Sequence, residues 1–245
     1  MRRKSLMLAV AFSAFSMTLL AEEPAKKPVY ETRKIHDREG TGKFYLGREI
    51  APVMGFQAAG WLERDEREKE EAPSKLLELL DLKKGMTVAD VGAGSGYHVF
   101  RMAPVVGEKG QVLAVDVQQE MLDLMQAKIK KDKITNVKPV KGTETDPKLP
   151  AASVDMIMMV DVYHELSHPY EMTEKMVAAL KPGGRLIFVE FRLEDPKVPI
   201  KLVHKMTERQ VIREMAEFPD LEHEKTHKGL PWQHVIVFQK KAKKE

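Results

Sequence analysis

Beyond residue 85 the chain alternates between short, continuously apolar runs and longer stretches whose apolar residues recur every three or four positions. The strand-like runs are Met86–Val91, Gln111–Asp116, Asn136–Lys141, Val154–Val160 and Arg185–Phe191. The helix-like stretches are Tyr97–Val106, Gln118–Lys131, Tyr170–Leu180 and Thr207–Phe218. The strands are apolar along their whole length rather than on alternate positions. That pattern predicts a mostly parallel, doubly wound α/β sheet with helices over both faces. The end of the chain differs. Leu221–His227 and Gln233–Lys240, joined by Lys228-Gly229-Leu230-Pro231-Trp232, predict a hairpin that adds an antiparallel edge.

The first third is less regular. Pro73 suits the first turn of a helix whose buried stripe is Leu76, Leu77, Leu79 and Leu80, and Gly85 closes that unit. From Ile35 to Glu71, five glycines (Gly40, Gly42, Gly47, Gly55, Gly60) punctuate short apolar pieces that end in a charge-rich run from Trp61 to Glu68. This predicts a small helical N-terminal cap over 35–72, with Glu63 and Arg67 paired on a solvated face. Residues 22–34 read as a linker.

Residues 1–21 have the layout of a secretory signal peptide: Arg2-Arg3-Lys4, an apolar run from Leu6 to Leu20, and Ala21 at the cut. A periplasmic or secreted protein is expected. Leu19 is larger than the residue usual three positions before a cut. If the leader is kept, it anchors the chain in the inner membrane, and only then is the membrane a partner.

A length of 245 residues suits one domain with a short appendage, and the net charge of +3 is carried largely by the two ends. Residues 241–245 read as a solvated basic tail. With no basic stripe inside the domain, no nucleic-acid partner is expected. The absence of cysteine excludes a lipid-modified cysteine anchor, a disulfide framework and a thiolate nucleophile. The sequence carries no signal for oligomeric state.

Candidate chemistry centres on Asp90-Val91-Gly92-Ala93-Gly94-Ser95-Gly96, between the first strand-like run and a helix. Three alternate glycines carry no Cβ, so backbone at those positions can approach a ligand closely. The following helix N-terminus favours a carboxylate. A dinucleotide loop needs Gly-x-Gly-x-x-Gly, but the third position is Tyr97 counted from Gly92 and Val99 counted from Gly94. One strand and helix later, Asp116 ends Val112-Leu113-Ala114-Val115-Asp116. It is placed either to accept both ribose hydroxyls of a nucleoside or to cap the next helix.

These motifs, with Val154-Asp155-Met156-Ile157 and Leu180-Lys181-Pro182-Gly183-Gly184-Arg185-Leu186, occur in the order found in class I S-adenosylmethionine-dependent methyltransferases. The chain resembles that family from about Ser74 to Lys240, within an expected domain over 73–240. The wider pattern resembles a bacterial group of small, often exported methyltransferase-domain proteins. It includes Trp61-Leu62-Glu63-Arg64, Asp161-Val162-Tyr163-His164-Glu165-Leu166, His204-Lys205-Met206 and Gln233-His234.

The resemblance implies a Rossmann-like, seven-stranded sheet whose last hairpin inserts one antiparallel strand, and S-adenosyl-L-methionine as cofactor. It implies that Gly92, Gly94 and Gly96 line the methionine and ribose part, that Asp116 and Val117 meet the ribose end, and that Asp90 steadies the loop or meets the amino group. Relatives place an Asp at the end of the third strand for adenine. Here Thr143 stands there, with Glu144 as the substitute acid. Asp161, beyond the fourth strand, faces the cofactor.

Methyl transfer needs an in-line nucleophile, and a base only when that nucleophile starts protonated. His164 and then Glu165 are the candidate bases and Tyr163 shapes the pocket; the alternative is that all three begin a helix. His204 and Trp61 are candidate contacts to a small-molecule acceptor, and Phe56 and Trp61 either close over the ligand or anchor the cap. A metal site would require His164, Glu165, His168, His204 and His234 to converge. No tight metal-binding spacing occurs, so no metal is expected. The methionines Met121, Met125, Met156 and Met158 read as core filler. A second function remains open: because S-adenosylmethionine is made in the cytosol, an exported chain could be a non-catalytic binding module in the cell envelope for it or another adenosine-like ligand.

Overall fold

The computed structural model describes residues 30–242. The expected leader, the linker before Tyr30 and residues 243–245 of the basic tail lie outside the described residues. Three short strands come first: β1 (Tyr30–Thr32), β2 (Lys43–Tyr45) and β3 (Arg48–Glu49), paired antiparallel. Leu46 and Gly47, both at positive φ, form the two-residue turn between β2 and β3. Glu49 ties the preceding loop down by accepting from Gly42 N at 2.8 Å and Asp37 N at 2.9 Å. The segment 35–72 is therefore only partly helical, and β1 lies in the expected linker.

The helical half starts with a 3-10 turn at Phe56–Ala58 and continues as α1 (Ala59–Leu62), α2 (Arg67–Glu71) and α3 (Pro73–Leu79). Ala72, in left-handed backbone, and Pro73 break α2 from α3. Arg67 does not pair with Glu63 on a solvated face. It is buried and donates to Glu71 Oε2 at 2.6 Å, while Glu63 accepts from Ser95 Oγ at 2.5 Å.

The main domain runs β4 (Thr87–Val91), α4 (Val99–Val106), β5 (Gln111–Asp116), α5 (Gln119–Asp132), β6 (Val137–Lys141), β7 (Val154–Val160), α6 (Pro169–Ala179), β8 (Leu180–Phe191), α7 (Glu208–Met215), β9 (Leu221–His227) and β10 (Gln233–Lys240). The seven strands lie in the order β6-β5-β4-β7-β8-β10-β9. The pairs among β4 to β8 are parallel, and β10 is antiparallel to both neighbours, as the terminal hairpin requires.

The continuous apolarity of the strands follows from two cores, one on each face. Along β7, Met156 and Met158 join the layer under α3, α4 and α5, with Leu76, Met102 and Met125. Ile157 and Met159 join the layer under α6 and α7, with Met176 and Met215. Burying such side chains contributes roughly 1.5–3 kcal/mol each. From β4 the chain winds outward through β5 and β6, then returns to β7 on the other side. The crevice beyond the carboxyl ends of β4 and β7 is the ligand position such a sheet creates. Among the described residues no helix is long and apolar enough to cross a membrane.

Candidate active site

That crevice is a cavity of about 450 Å³. One wall is the loop after β4. Gly92 and Gly94 stand at φ +79° and +54°, backbone that favours glycine. A Cβ on Gly92 would lie 2.5 Å from both Cγ atoms of Val162, so the turn after β7 closes onto bare backbone. Both oxygens of Asp116 fasten this wall: Oδ2 accepts from Gly94 N and Oδ1 from Gln118 N, each at 2.8 Å. Burial raises the Asp116 carboxyl above the usual range, opposed by the hydrogen bonds from Gln118 and Gly94.

Gly92, Gly94, Asp116, Val117, Thr143 and Asp161 all line the cavity. Three residues grouped with them do not. Gly96 packs inward, where a Cβ would meet Phe100 and Met125. Asp90 is buried beneath the loop, and burial together with Asp116 pushes its carboxyl up to about 7 against the pull of Arg67. Glu144 points to solvent, 69% exposed, beside His168 and Ser167. It lies outside the cavity that Thr143 lines.

The opposite end is polar. After β7, Asp161 takes left-handed backbone and leads into a 3-10 turn at Tyr163–Glu165. Asp161 Oδ2 accepts from Gln233 Nε2 at 2.5 Å, while Oδ1 is shielded from water and finds no partner among the described residues. Burial raises its carboxyl well above the usual range, reinforced by Glu71 and Glu190. His164 Nδ1 lies 2.6 Å from Glu190 Oε2, and its Nε2 lies 3.2 Å from Nδ1 of His204, which arrives on the turn Leu202–His204 after β8. Glu165 Oε2 accepts from Met54 N at 3.2 Å. His164, Glu165 and His204 converge; His168 and His234 lie outside this cluster.

Tyr163 departs from its expected role of shaping the pocket. Its ring is fully buried, edge-on to Phe188 at 4.8 Å, and belongs to the core under α6 and α7. Tyr163 thus anchors the turn in the core while His164 and Glu165 face the cavity.

The third wall comes from the segment before α3. Val53, Met54, Trp61, Leu62 and Arg67 line the cavity, whereas Phe56 does not. Gln118 clamps this segment to the end of β5 by accepting from Phe56 N at 2.8 Å and donating to Met54 O at 2.9 Å. The local sequence does not mark Gln118 for this role, nor Glu190 as the partner of His164. Glu190 did leave a trace, a single acid near the end of the apolar run Leu186–Phe191.

A doubly wound sheet with a bare-backbone loop and a buried acid at the next strand end defines a nucleoside-cofactor enzyme of the Rossmann-like class. The chain belongs to the methyltransferase domain family, which matches residues 82–242. A crystal structure of an S-adenosylmethionine-dependent methyltransferase from Aquifex aeolicus superposes with a TM-score of 0.71 at 28% identity, covering 76% of this chain and 99% of that one. Protein-L-isoaspartate O-methyltransferase of Methanococcus aeolicus is 34% identical over 112 residues, 46% of this chain and 49% of that protein. The ubiquinone/menaquinone biosynthesis C-methyltransferase UbiE of Vibrio vulnificus is 30% identical over 110 residues, 44% and 42% of the two chains. The chain thus spans about half the length of the curated relatives it matches. The cofactor of this family is S-adenosyl-L-methionine.

Proposed function

We propose that the protein transfers a methyl group from S-adenosyl-L-methionine to a small-molecule acceptor bound at the polar end of the cavity. The observation that carries this reading is one continuous space joining the Gly92–Gly94–Asp116 wall to His164, Glu165 and His204. The residues fit the cofactor. Gly92 and Gly94 present backbone to the cavity, and each Asp116 oxygen keeps acceptor capacity for a ribose hydroxyl. The orphaned Asp161 Oδ1 suits an ammonium, which would favour the ionised form that burial disfavours.

The bound cofactor supplies a methyl group already activated on a sulfonium. The chain's own contribution is therefore position and exclusion of water. Gly92, Gly94, Asp116 and Asp161 would hold the cofactor, whose sulfur would keep the electron pair when the methyl leaves. An acceptor that enters protonated gives up its proton at the polar end, where His164, Glu165 and His204 meet. The named relatives methylate at oxygen in one case and at carbon in the other. Their shared region therefore leaves the acceptor of this chain to its own polar end. The basic start and apolar run of residues 1–21 support export as part of this reading.

Calorimetry on the purified protein tests the cofactor. S-adenosylmethionine and S-adenosylhomocysteine should both bind, and failure of both at millimolar concentration would sink the reading. Cell fractionation with N-terminal sequencing tests export. A start at Glu22 outside the cytoplasm supports it, and an intact leader in the inner membrane supports the anchored form.

A further inference from the structure

We propose that His164, Glu165 and His204 bind one divalent first-row transition-metal cation, with Zn(II) the ion the donor set suits first. The three residues come from two turns forty positions apart, which is why the sequence pattern gives no metal signature. Their donor atoms form a closed triangle: His164 Nε2 to His204 Nδ1 3.2 Å, His204 Nδ1 to Glu165 Oε1 3.5 Å, and His164 Nε2 to Glu165 Oε1 3.9 Å. A cation about 2.0–2.2 Å from each of three donors holds them roughly 3.0–3.6 Å apart. Two edges already lie in that range, and a small rotation of the Glu165 carboxylate brings in the third.

The surroundings are those of a ligand set. Glu190 Oε2, 2.6 Å from His164 Nδ1, fixes the ring with its Nε2 lone pair toward the triangle, the usual outer partner of a metal-bound imidazole. Glu190 is itself fully buried and held by Tyr163 N at 3.0 Å. Met54 N holds the second oxygen of Glu165, leaving Oε1 free to turn inward. Two carboxylates, Glu165 and Glu190, surround two imidazoles, so a doubly charged cation balances the cluster. The nearby Arg48 is already committed to Glu214 at 2.7 Å.

Three protein ligands leave at least one position open, the mark of a catalytic rather than a structural site. All three residues line the cavity that also holds Gly92 and Asp116, so the open position faces that space. Resting on the methyl-transfer reading, this assigns the acceptor class: a small molecule with an oxygen, nitrogen or sulfur donor for the cation, whose charge then releases the acceptor's proton in place of the three side chains.

The test separates the metal from the cofactor. Protein stripped by chelator is titrated with Zn(II) by calorimetry without cofactor, and with Co(II) by visible absorption. The expected result is one equivalent bound in the micromolar range or tighter, with intense tetrahedral or five-coordinate Co(II) bands. Glu165→Gln and His204→Ala should each weaken Zn(II) binding by at least about tenfold. Both positions lie partly at the surface, and thermal melts establish that the variants fold. His168→Ala, outside the triangle, should leave binding unchanged. Binding weaker than micromolar, or equal in wild type and both variants, overturns the proposal and leaves a hydrogen-bond chain from Glu190 through His164 to His204. S-adenosylhomocysteine binding to the metal-free protein is read separately, so its presence beside a failed Zn(II) titration rejects the metal site alone.

Discussion

Asp116 commits both carboxylate oxygens to backbone N–H groups, one on the glycine loop and one at the start of α5. Its side chain thus fastens the glycine-loop wall of the cavity from within the chain. Asp116→Asn tests this, because an amide offers one acceptor where two are needed and turns an N–H toward an N–H. Leaving a buried donor unpaired costs about 1–3 kcal/mol. S-adenosylhomocysteine affinity should fall roughly 5- to 150-fold by calorimetry. Asp116→Ala should bind more weakly still. Wild-type affinity in either variant would show that the wall stands without this latch. The same residue shows what was legible in advance: an acid at a strand end after a glycine loop is a local pattern, readable from spacing alone. Glu190 and His204 are not local. Their roles depend on which strands are neighbours, and β8 reaches His164 only because β7 and β8 pair in register from Met156 to Val160.

The elements of the main domain followed their periodicity, while the segment before α3 did not. β1, β2 and β3 are two or three residues long, too short for an alternating pattern, and Leu46 at positive φ gives no turn signal. Charge misled as well. Arg67 looked solvated in a run of acids, yet it is buried, donating to Glu71 and Leu62 O and stacking on Tyr97 at 4.2 Å. What this segment does follows from its attachments. Gln118 grips residues 54–56, Glu63 grips Ser95, and between them Trp61 remains 42% exposed over the cavity. A covering piece held by a few polar contacts opens at low cost. Gln118→Ala removes two of those contacts while sparing the Gln118 N–H that Asp116 uses. Amide hydrogen exchange should speed up over residues 53–62 and stay unchanged in β4 and β5. An equal rate in wild type and variant would show that the cover rests on its apolar contacts instead.

Across the whole molecule, the ligand end of the sheet is assembled over buried charge. Arg67, already paired with Glu71 at 2.6 Å, lowers both the Asp90 and the Asp161 carboxyl, yet burial wins at each and both stand above the usual range. His98, 3.3 Å from Arg67, is pushed well below its ordinary value by burial and then by Arg67 and Arg101, so it stays neutral. These shifts fix the sign of the pH dependence. An unfolded chain releases the Asp proton near pH 3.9, whereas folded Asp90 keeps it to about 7. Between those values the folded state holds more protons, so stability falls as pH rises through that window. At about 1.4 kcal/mol per unit the loss from Asp90 alone is on the order of a few kcal/mol, and Asp161 adds to it in the same direction. Asp90→Asn is neutral at every pH and of equal size, so its melting temperature should decline less than that of wild type between pH 5 and 8. A cationic ligand beside Asp161 acts oppositely, favouring the ionised carboxylate, so saturating S-adenosylmethionine should stabilise the protein more at pH 8 than at pH 5. Thermal melts across that range, with and without cofactor, read both effects. A ligand-induced shift that shrinks as pH rises would mean that Asp161 meets the cofactor as a neutral acid and that the ammonium lies elsewhere.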